Sequence, residues 1–374
     1  KNGKIELHSQ KEVDALVEKL QKEKFEVLSV KNGERRKKPP LPFTTSTLQQ
    51  EASKRLNMST QKTMRLAQEL YEGVTLKGKG SVGLITYLRT DSTRISEEAD
   101  ASCREYIAQQ YGEQFVGDKT AVKSSKTGKI QDAHEAIRPT DSSLSPAMLK
   151  EQLPRDLFRL YQLIWTRFLA SRMAEAVYET TSVKIGAGDY RFNVAASKVK
   201  FDGFMTVYSY DSEKSTMNAA MKKITKDTEI TLSGLDPQQH FTQPPAHFTE
   251  ASLVKTLEEL GIGRPSTYAP TITTLLARRY IVKESKNLYI TELGEAVNDM
   301  MEDGFPTIVD VNFTANMESL LDGVEEGKVK WKTIVENFYP DMMQAVEKAE
   351  KELEEVKIED EVSEEVCEEC GRNM

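Results

Sequence analysis

The hydrophobic pattern of the chain changes its period along the sequence, and this constrains the fold more than any other feature. From residue 180 to about residue 232, apolar side chains recur at every second position, as in strands. From residue 44 to residue 175 they recur every three or four positions, which is typical of amphipathic helices. A strand near the start is followed by a predicted turn at Asn32-Gly33. We therefore predict a β-rich domain made of residues 1–43 and 176–243, interrupted by a mainly helical domain of residues 44–175.

A proline pair at residues 244–245 marks the next predicted boundary. Thr249 is predicted to cap a helix, and a second helix follows with Arg278 in its last turn. Two short strands come next, which completes a helix–turn–helix with a hairpin. This pattern is typical of winged-helix DNA-binding domains, although winged helices with a purely structural role also exist. We predict a winged-helix-like domain over residues 244–355 and an acidic tail over residues 356–374.

The net charge of −8 is concentrated at one end of the chain. Residues 347–374 hold twelve acidic and four basic side chains, so the remainder is neutral. Basic clusters at residues 35–38 and among the lysines of 119–129 can therefore face DNA, or be solvated loops. The sequence has no apolar run long enough for a membrane span and no signal peptide, and three cysteines do not form a disulfide framework. These features favour a cytoplasmic protein.

Residues 83–92 read Gly-Leu-Ile-Thr-Tyr-Leu-Arg-Thr-Asp-Ser. In a strand, Tyr87, Arg89 and Asp91 would share one face. A phenol oxygen can attack phosphorus, and a guanidinium can neutralise the charge that develops on the phosphoryl oxygens. The alternative is a half-buried tyrosine beside a surface Arg–Asp ion pair.

Residues 131–140 read Gln-Asp-Ala-His-Glu-Ala-Ile-Arg-Pro-Thr. Their spacing predicts a helical turn with His134 and Arg138 on one side, where the pair could hold a phosphate. A lone histidine more often has a structural role, and the residues alone leave both interpretations open.

Both segments resemble type IA DNA topoisomerases of bacteria, as does Gly-Ile-Gly-Arg-Pro-Ser-Thr-Tyr at residues 261–268. The resemblance covers nearly the whole chain. It implies a mixed α/β multidomain fold with a β-rich arch and two mainly helical, winged-helix-like domains. It also implies that Tyr87 attacks a DNA phosphate and keeps the 5′ end as a phosphotyrosine, with Arg89 as its catalytic partner. By the same resemblance, the DNA-binding residues are His134, Arg138, Arg264, Ser266, Thr267 and Arg278.

The resemblance further implies metals. Family members carry an acidic domain, Toprim, whose Asp-x-Asp motif supplies Mg²⁺ ligands, and no Asp-x-Asp occurs here. The chain also lacks the family's early segment of the DNA groove. We therefore expect a central fragment that is inactive without its N-terminal domain. Cys367 and Cys370 resemble half of a zinc site that begins the family's C-terminal Zn²⁺ ribbons, whereas Cys103 is expected in the core.

The expected partners are single-stranded and negatively supercoiled DNA, and the expected form is a monomer acting at the bacterial nucleoid without a membrane. Two alternatives stay open. A non-catalytic winged-helix DNA-binding protein would leave Tyr87 without a purpose. A tyrosine recombinase would form a 3′-phosphotyrosine instead, so the DNA end that remains on the protein distinguishes the classes.

Overall fold

The computed structural model of the chain describes residues 5–118, 134–209, 223–353, 366 and 369–371. The α-helices are α1 Gln10–Gln21, α2 Thr45–Glu51, α3 Thr60–Glu72, α4 Glu97–Tyr111, α5 Pro146–Leu149, α6 Arg155–Arg172, α7 Glu250–Leu260, α8 Tyr268–Ala277, α9 Glu292–Gly304, α10 Pro306–Val309, α11 Val311–Glu325 and α12 Trp331–Glu352. The strands are β1 Phe25–Lys37, β2 Val74–Leu76, β3 Gly80–Val82, β4 Ala176–Ala187, β5 Tyr190–Phe201, β6 Ile281–Glu284 and β7 Asn287–Ile290. The fold is mixed α/β, as the sequence predicts.

β1, β4 and β5 form an antiparallel sheet in the order β1-β4-β5. The pairing joins the two sequence segments that we assign to one β-rich domain. The predicted turn at Asn32-Gly33 is wrong, because both residues lie inside β1 opposite Thr181 and Thr180. The long partner strand continues the backbone ladder through this dipeptide, and the Thr181 hydroxyl donates a hydrogen bond to the Asn32 side chain at 2.9 Å.

The strands end earlier than the alternating pattern predicts. β5 ends at Phe201, and Gly203–Thr206 form a 3₁₀-helix. Tyr208, predicted in a strand, is instead buried against the helical part, where its hydroxyl donates to the Glu51 carboxylate at 2.8 Å. Residues 224–248 contain no helix or strand. In the described residues 202–209 and 224–248, the alternation therefore reflects tertiary burial and exposed chain rather than a sheet, and residues 210–222 lie outside the described residues.

The main core is formed mostly by the helical part of the chain, which lies in sequence between the two segments that form the β-sheet. The helical period predicted for residues 44–175 matches the buried face of α6, where Leu160, Tyr161, Ile164 and Phe168 are at 1% exposure or less. α2 continues directly into a π-helix, Ala52–Leu56, which ends at Asn57 in the left-handed conformation. The buried face of α6 contributes hydrophobic stabilisation to this core together with residues of α2, α3 and α4.

α7, α8 and the β6–β7 hairpin form the predicted helix–turn–helix with a hairpin, and Thr249 caps α7 as expected. Their small core consists of Val254, Tyr268 and Ile272. α9 to α12 follow as a helical extension. Within the described part of the chain, no helix combines the length and apolar character that a membrane span requires.

A buried carboxylate joins the helical region α2–α6 to the helical region that begins with α7 and α8. Glu250, at the start of α7, is 3% exposed and accepts hydrogen bonds from the backbone and hydroxyl of Thr60 at 2.7 and 2.9 Å. Lys283 on β6 donates to the same carboxylate at 2.6 Å. Ser46 on α2 also donates to Glu258 on α7, at 2.8 Å. These contacts fix α2 and α3 against α7 and α8, and the clefts described below open between the two regions.

Candidate active site

The predicted strand at residues 83–92 is wrong, since the segment is irregular apart from a single bridge between Ile85 and Pro139. The predicted alternation of exposed and buried side chains is nevertheless partly correct. Tyr87, Arg89 and Asp91 are exposed, whereas Leu88, Thr90 and Ser92 are buried. Strict alternation would also place Ile85 on the face of Tyr87, but Ile85 is 1% exposed. The segment departs from a strand because its backbone partners come from several separate places in the fold.

Two threonines hold the backbone on either side of Tyr87. The Thr86 hydroxyl donates to the Ala136 carbonyl at 2.7 Å and accepts from the Arg138 amide at 3.0 Å. The Thr45 hydroxyl donates to the Leu88 carbonyl at 2.6 Å and accepts from the Thr90 amide at 2.8 Å. Because both neighbours of Tyr87 are fixed in this way, its side chain projects outward from a rigid support.

The Tyr87 ring lies between two other rings. Tyr71 packs edge-on against it at a centroid distance of 5.5 Å, and the His134 imidazole lies at 5.7 Å on a tilted plane. Tyr87 is 39% exposed, and its hydroxyl makes no hydrogen bond with any residue that the structure describes. The phenol oxygen is thus accessible to a ligand.

Arg89 and Asp91 do not form the ion pair that is usual for such neighbours. Both side chains are exposed, and within the described residues neither has a salt bridge or a side-chain hydrogen bond. The Arg89 guanidinium therefore keeps its donors for an oxyanion, which a planar fork can bind through two oxygens.

The predicted helical turn at His134 and Arg138 is also wrong. The segment is extended, with Ile137 bridged to Phe43 and Pro139 bridged to Ile85. Arg138 donates to the Glu135 carboxylate at 2.9 and 2.7 Å, and it does not line the cleft around Tyr87 that is described next. The structure therefore brings His134 to Tyr87 and pairs the Arg138 charge with Glu135. Four residues of extended backbone span roughly 13 Å, whereas four residues of a helix span only about 6 Å, so the two side chains do not meet.

A cleft of about 1120 Å³ collects most of the predicted residues. Tyr87, Arg89 and His134 line one side of it, and Arg264 and Ser266 line it from the loop between α7 and α8. These side chains come from three separate sequence segments. A phosphate in this cleft could meet the phenol and a guanidinium at once.

Acidic residues of α11, which no sequence motif singled out, also line this cleft. Arg264 donates to both Asp322 carboxylate oxygens at 2.9 and 2.8 Å, and its Nε lies 3.5 Å from Glu318. Glu325 and Glu326 also line the cleft. The four-residue spacing of Glu318, Asp322 and Glu326 was a detectable signal, but it is equally typical of a solvated helix face.

Two further predicted residues lie outside this cleft. Thr267 forms a local turn, in which its hydroxyl accepts from the Arg264 amide at 2.8 Å and donates to the Arg264 carbonyl at 3.1 Å. Arg278 is exposed at the end of α8. Thr267 and Arg278 therefore lie in the α7–α8 region but do not line the cleft that contains Tyr87.

Tyr268 is a nearby phenol that differs from Tyr87. It is 7% exposed, and burial, reinforced by the charge of Glu258, raises its pKa to about 12. A nucleophile must lose its proton and reach the substrate, so the accessible Tyr87 is the better candidate.

The described residues do not fit a divalent metal. They include no group of three or more His, Cys, Asp or Glu side chains with suitable geometry. Cys370 is exposed, and Cys367 lies outside the described residues, so the structure does not test the half zinc site. Cys103 is buried in the core, as expected, and burial raises its pKa to about 12.

Comparison with known proteins adds to this geometry. A family model described as DNA topoisomerase matches residues 1–336. A solved structure of full-length topoisomerase I from Thermotoga maritima is 36% identical, with a TM-score of 0.75. The match covers 99% of this chain and 59% of that protein, so this chain spans somewhat more than half of the length of its relative.

Proposed function

Because the chain belongs to the bacterial type IA DNA topoisomerase family, we propose that Tyr87 is the nucleophile that opens one DNA strand. The single observation that carries this proposal is the convergence of Tyr87, Arg89, His134 and Ser266 on one cleft. The phenol is exposed, and the Arg89 guanidinium beside it has no ion-pair partner among the described residues. This arrangement suits attack on a phosphodiester.

In the proposed reaction the Tyr87 oxygen forms a bond to phosphorus, and the bond from phosphorus to the 3′ oxygen breaks. The 5′ end remains on the protein as a phosphotyrosine, and the 3′ oxygen leaves with a proton. Arg89 balances the charge that grows on the non-bridging oxygens. After the other strand passes, the 3′ hydroxyl attacks the phosphotyrosine and reseals the strand. The covalent bond conserves the energy of the phosphodiester, so relaxation of negative supercoils needs no ATP.

His134, Ser266 and Arg264 are proposed to hold neighbouring phosphates, and Thr267 and Arg278 to support the path of the single strand. Arg138, which pairs with Glu135, is proposed to act only through the backbone that positions Thr86. The protein is proposed to act as a monomer on the DNA of the bacterial nucleoid.

Mg²⁺ is proposed to assist the reaction in the family enzyme, with ligands outside the described residues. It would supply charge stabilisation at the phosphate. Cys367 and Cys370 are proposed as two of the four ligands of a structural Zn²⁺.

The test uses a full-length enzyme that contains this chain and a single-stranded oligonucleotide labelled at either end. A 5′-phosphotyrosine retains the 3′ label on the protein after denaturation, whereas a recombinase would retain the 5′ label. Tyr87→Phe should abolish the covalent complex and leave binding nearly unchanged, because it removes one hydroxyl. Tyr71→Phe, which removes a hydroxyl from the adjacent ring, is the matched control and should retain the complex. Covalent complex in Tyr87→Phe would show that another residue attacks.

The 374-residue chain by itself is proposed to bind single-stranded DNA without relaxing a supercoiled plasmid. In the described residues the Tyr87 hydroxyl has no proton acceptor in hydrogen-bond contact. Relaxation by the chain alone in the presence of Mg²⁺ would contradict this proposal.

A further inference from the structure

A second cleft meets the first at Tyr87, which lines both. It has a volume of about 890 Å³ and lies between α3 and α8. Both clefts are lined by Tyr87, Arg89, Pro265 and Ser266. The proposed nucleophile therefore stands where two spaces meet, rather than at the closed end of one.

This position has a consequence for the substrate. A phosphate inside a strand carries nucleotides on both sides, so a nucleophile that cuts in the middle of a strand needs room in two directions. A cleft on one side only would suit attack near a strand end. The two adjoining clefts thus match an internal phosphate, provided that the second cleft can bind a nucleotide chain.

The α3 wall of the second cleft carries side chains suited to that ligand. Gln61, Met64, Arg65 and Gln68 line it and are spaced so that they share one helix face. Pro270 and Thr273 on α8 face them. Amides and a hydroxyl can bind sugars and base edges, and the thioether and the proline ring offer apolar contact to bases.

Arg65 is the cation of this wall. It is exposed, and within the described residues it makes no salt bridge and no side-chain hydrogen bond. Lys62 on the same helix, by contrast, is paired with Asp156 at 2.5 Å. Glu69 and Glu72 line the cleft one and two turns further along α3, so a phosphate backbone is favoured at the Arg65 and Arg89 end.

We propose that the α3–α8 cleft binds the DNA strand on the side of the attacked phosphate opposite to the first cleft, and that Arg65 binds a phosphate there. The inference rests on the proposed function, since it assumes a single-stranded DNA substrate at Tyr87. It adds a second binding segment and a specific residue outside the three sequence motifs.

The test measures binding of the 374-residue chain to a fluorescent oligothymidine of roughly 15 nucleotides, long enough to fill both clefts. Arg65→Ala should weaken binding about fivefold to tenfold at low salt and reduce the slope of log affinity against log salt by about 0.7. Arg65→Lys should retain most of the slope, because it keeps the charge. Arg155→Ala is the matched control, since Arg155 is an exposed arginine of the same helical region that lines neither cleft.

Each outcome decides one point. Wild-type chain without affinity for the oligonucleotide would overturn the proposal that this chain binds single-stranded DNA, and the second cleft with it, whereas the role of Tyr87 is decided by the end-label experiment. Wild-type binding with equal slopes for Arg65→Ala and Arg155→Ala would overturn only the second cleft. If Arg65→Ala lowers the melting temperature, Arg65→Gln replaces it, and the same comparison of slopes applies.

Discussion

At the scale of single residues, the affinity of the cleft for a phosphate depends on which charged side chains are already in ion pairs. Arg89 and Arg65 have none in the described part of the chain, whereas Arg264 is held by Asp322 and Glu318. A guanidinium neutralised by two carboxylates attracts a phosphate weakly. The acidic wall of α11 therefore opposes the anion that the rest of the cleft is suited to bind.

This leads to a prediction for Asp322→Asn. Removal of this carboxylate charge leaves Glu318 as the remaining acidic partner of Arg264 and lowers the negative charge of the cleft, so affinity for single-stranded DNA should rise about twofold to fivefold at low salt. Fluorescence anisotropy across a salt series would measure the change. Asp303→Asn on α9 removes the same charge from a position that lines neither cleft. Equal gains for both variants would mean that net charge alone accounts for the effect.

At the scale of secondary-structure elements, Glu250 joins α7, α3 and β6 in one contact. Its carboxylate satisfies the backbone amide of Thr60 in the first turn of α3, a place where helices favour negative charge. Burial by itself raises the pKa of Glu250, but the hydrogen bonds from Lys283 and Thr60 outweigh it, and the net pKa is lowered. The charged form is therefore the one that stabilises the packing of these elements.

Glu250→Gln should lower the free energy of unfolding by about 1–3 kcal/mol at neutral pH, because Lys283 and Thr60 lose a charged acceptor. Glu259→Gln on the same helix is the control. It breaks a surface pair with Lys255, at 3.6 Å, and should cost less than about 0.5 kcal/mol. Urea denaturation of both variants beside the wild type measures the difference.

The same residue predicts a pH dependence. The folded-state pKa of Glu250 lies below its ordinary value of 4.5, so its contribution is complete above that pH. It is lost as the pH falls through the lowered pKa. The stability difference between wild type and Glu250→Gln should therefore be constant near neutrality and shrink below about pH 4.5. A constant difference down to pH 3 would argue against the assigned charge.

At the scale of the whole molecule, residues 224–248 connect the β-sheet region to α7 without helix or strand. Phe241 in this connection is 71% exposed. Exposed segments of this kind are preferred sites of proteolysis. Helices that precede this connection also contact helices that follow it directly, α2 with α7 and α3 with α8.

Limited chymotrypsin digestion should therefore cut first at Phe241, and the two products should still elute together from a sizing column. The buried Glu250 contact and the packed helices hold them after the connection is cut. Phe241→Ser is the control, since it should delay the first cut without changing the fold. Separation of the products under native conditions would show that the connection, rather than the interface, keeps the two regions together.

Local patterns in the sequence determined much of this protein. The cap at Thr249 is confirmed, because a hydroxyl that accepts a hydrogen bond from the amide three residues further on needs no distant partner. The exposure of Tyr87 and Arg89 beside buried Leu88 was predicted from alternation. The family follows from motifs within short windows, and it too is confirmed.

Only the tertiary structure decided how the site is assembled. Residues 83–92 are irregular because Thr45 and residues 136–138 supply their backbone partners. The Asn32-Gly33 dipeptide stays in a strand because β4 pairs with it. Arg138 pairs with Glu135, and α11 contributes carboxylates to the cleft that Tyr87 lines. Each outcome depends on contacts between residues distant in sequence or on backbone geometry imposed by them, and periodicity within one segment carries no information about such contacts.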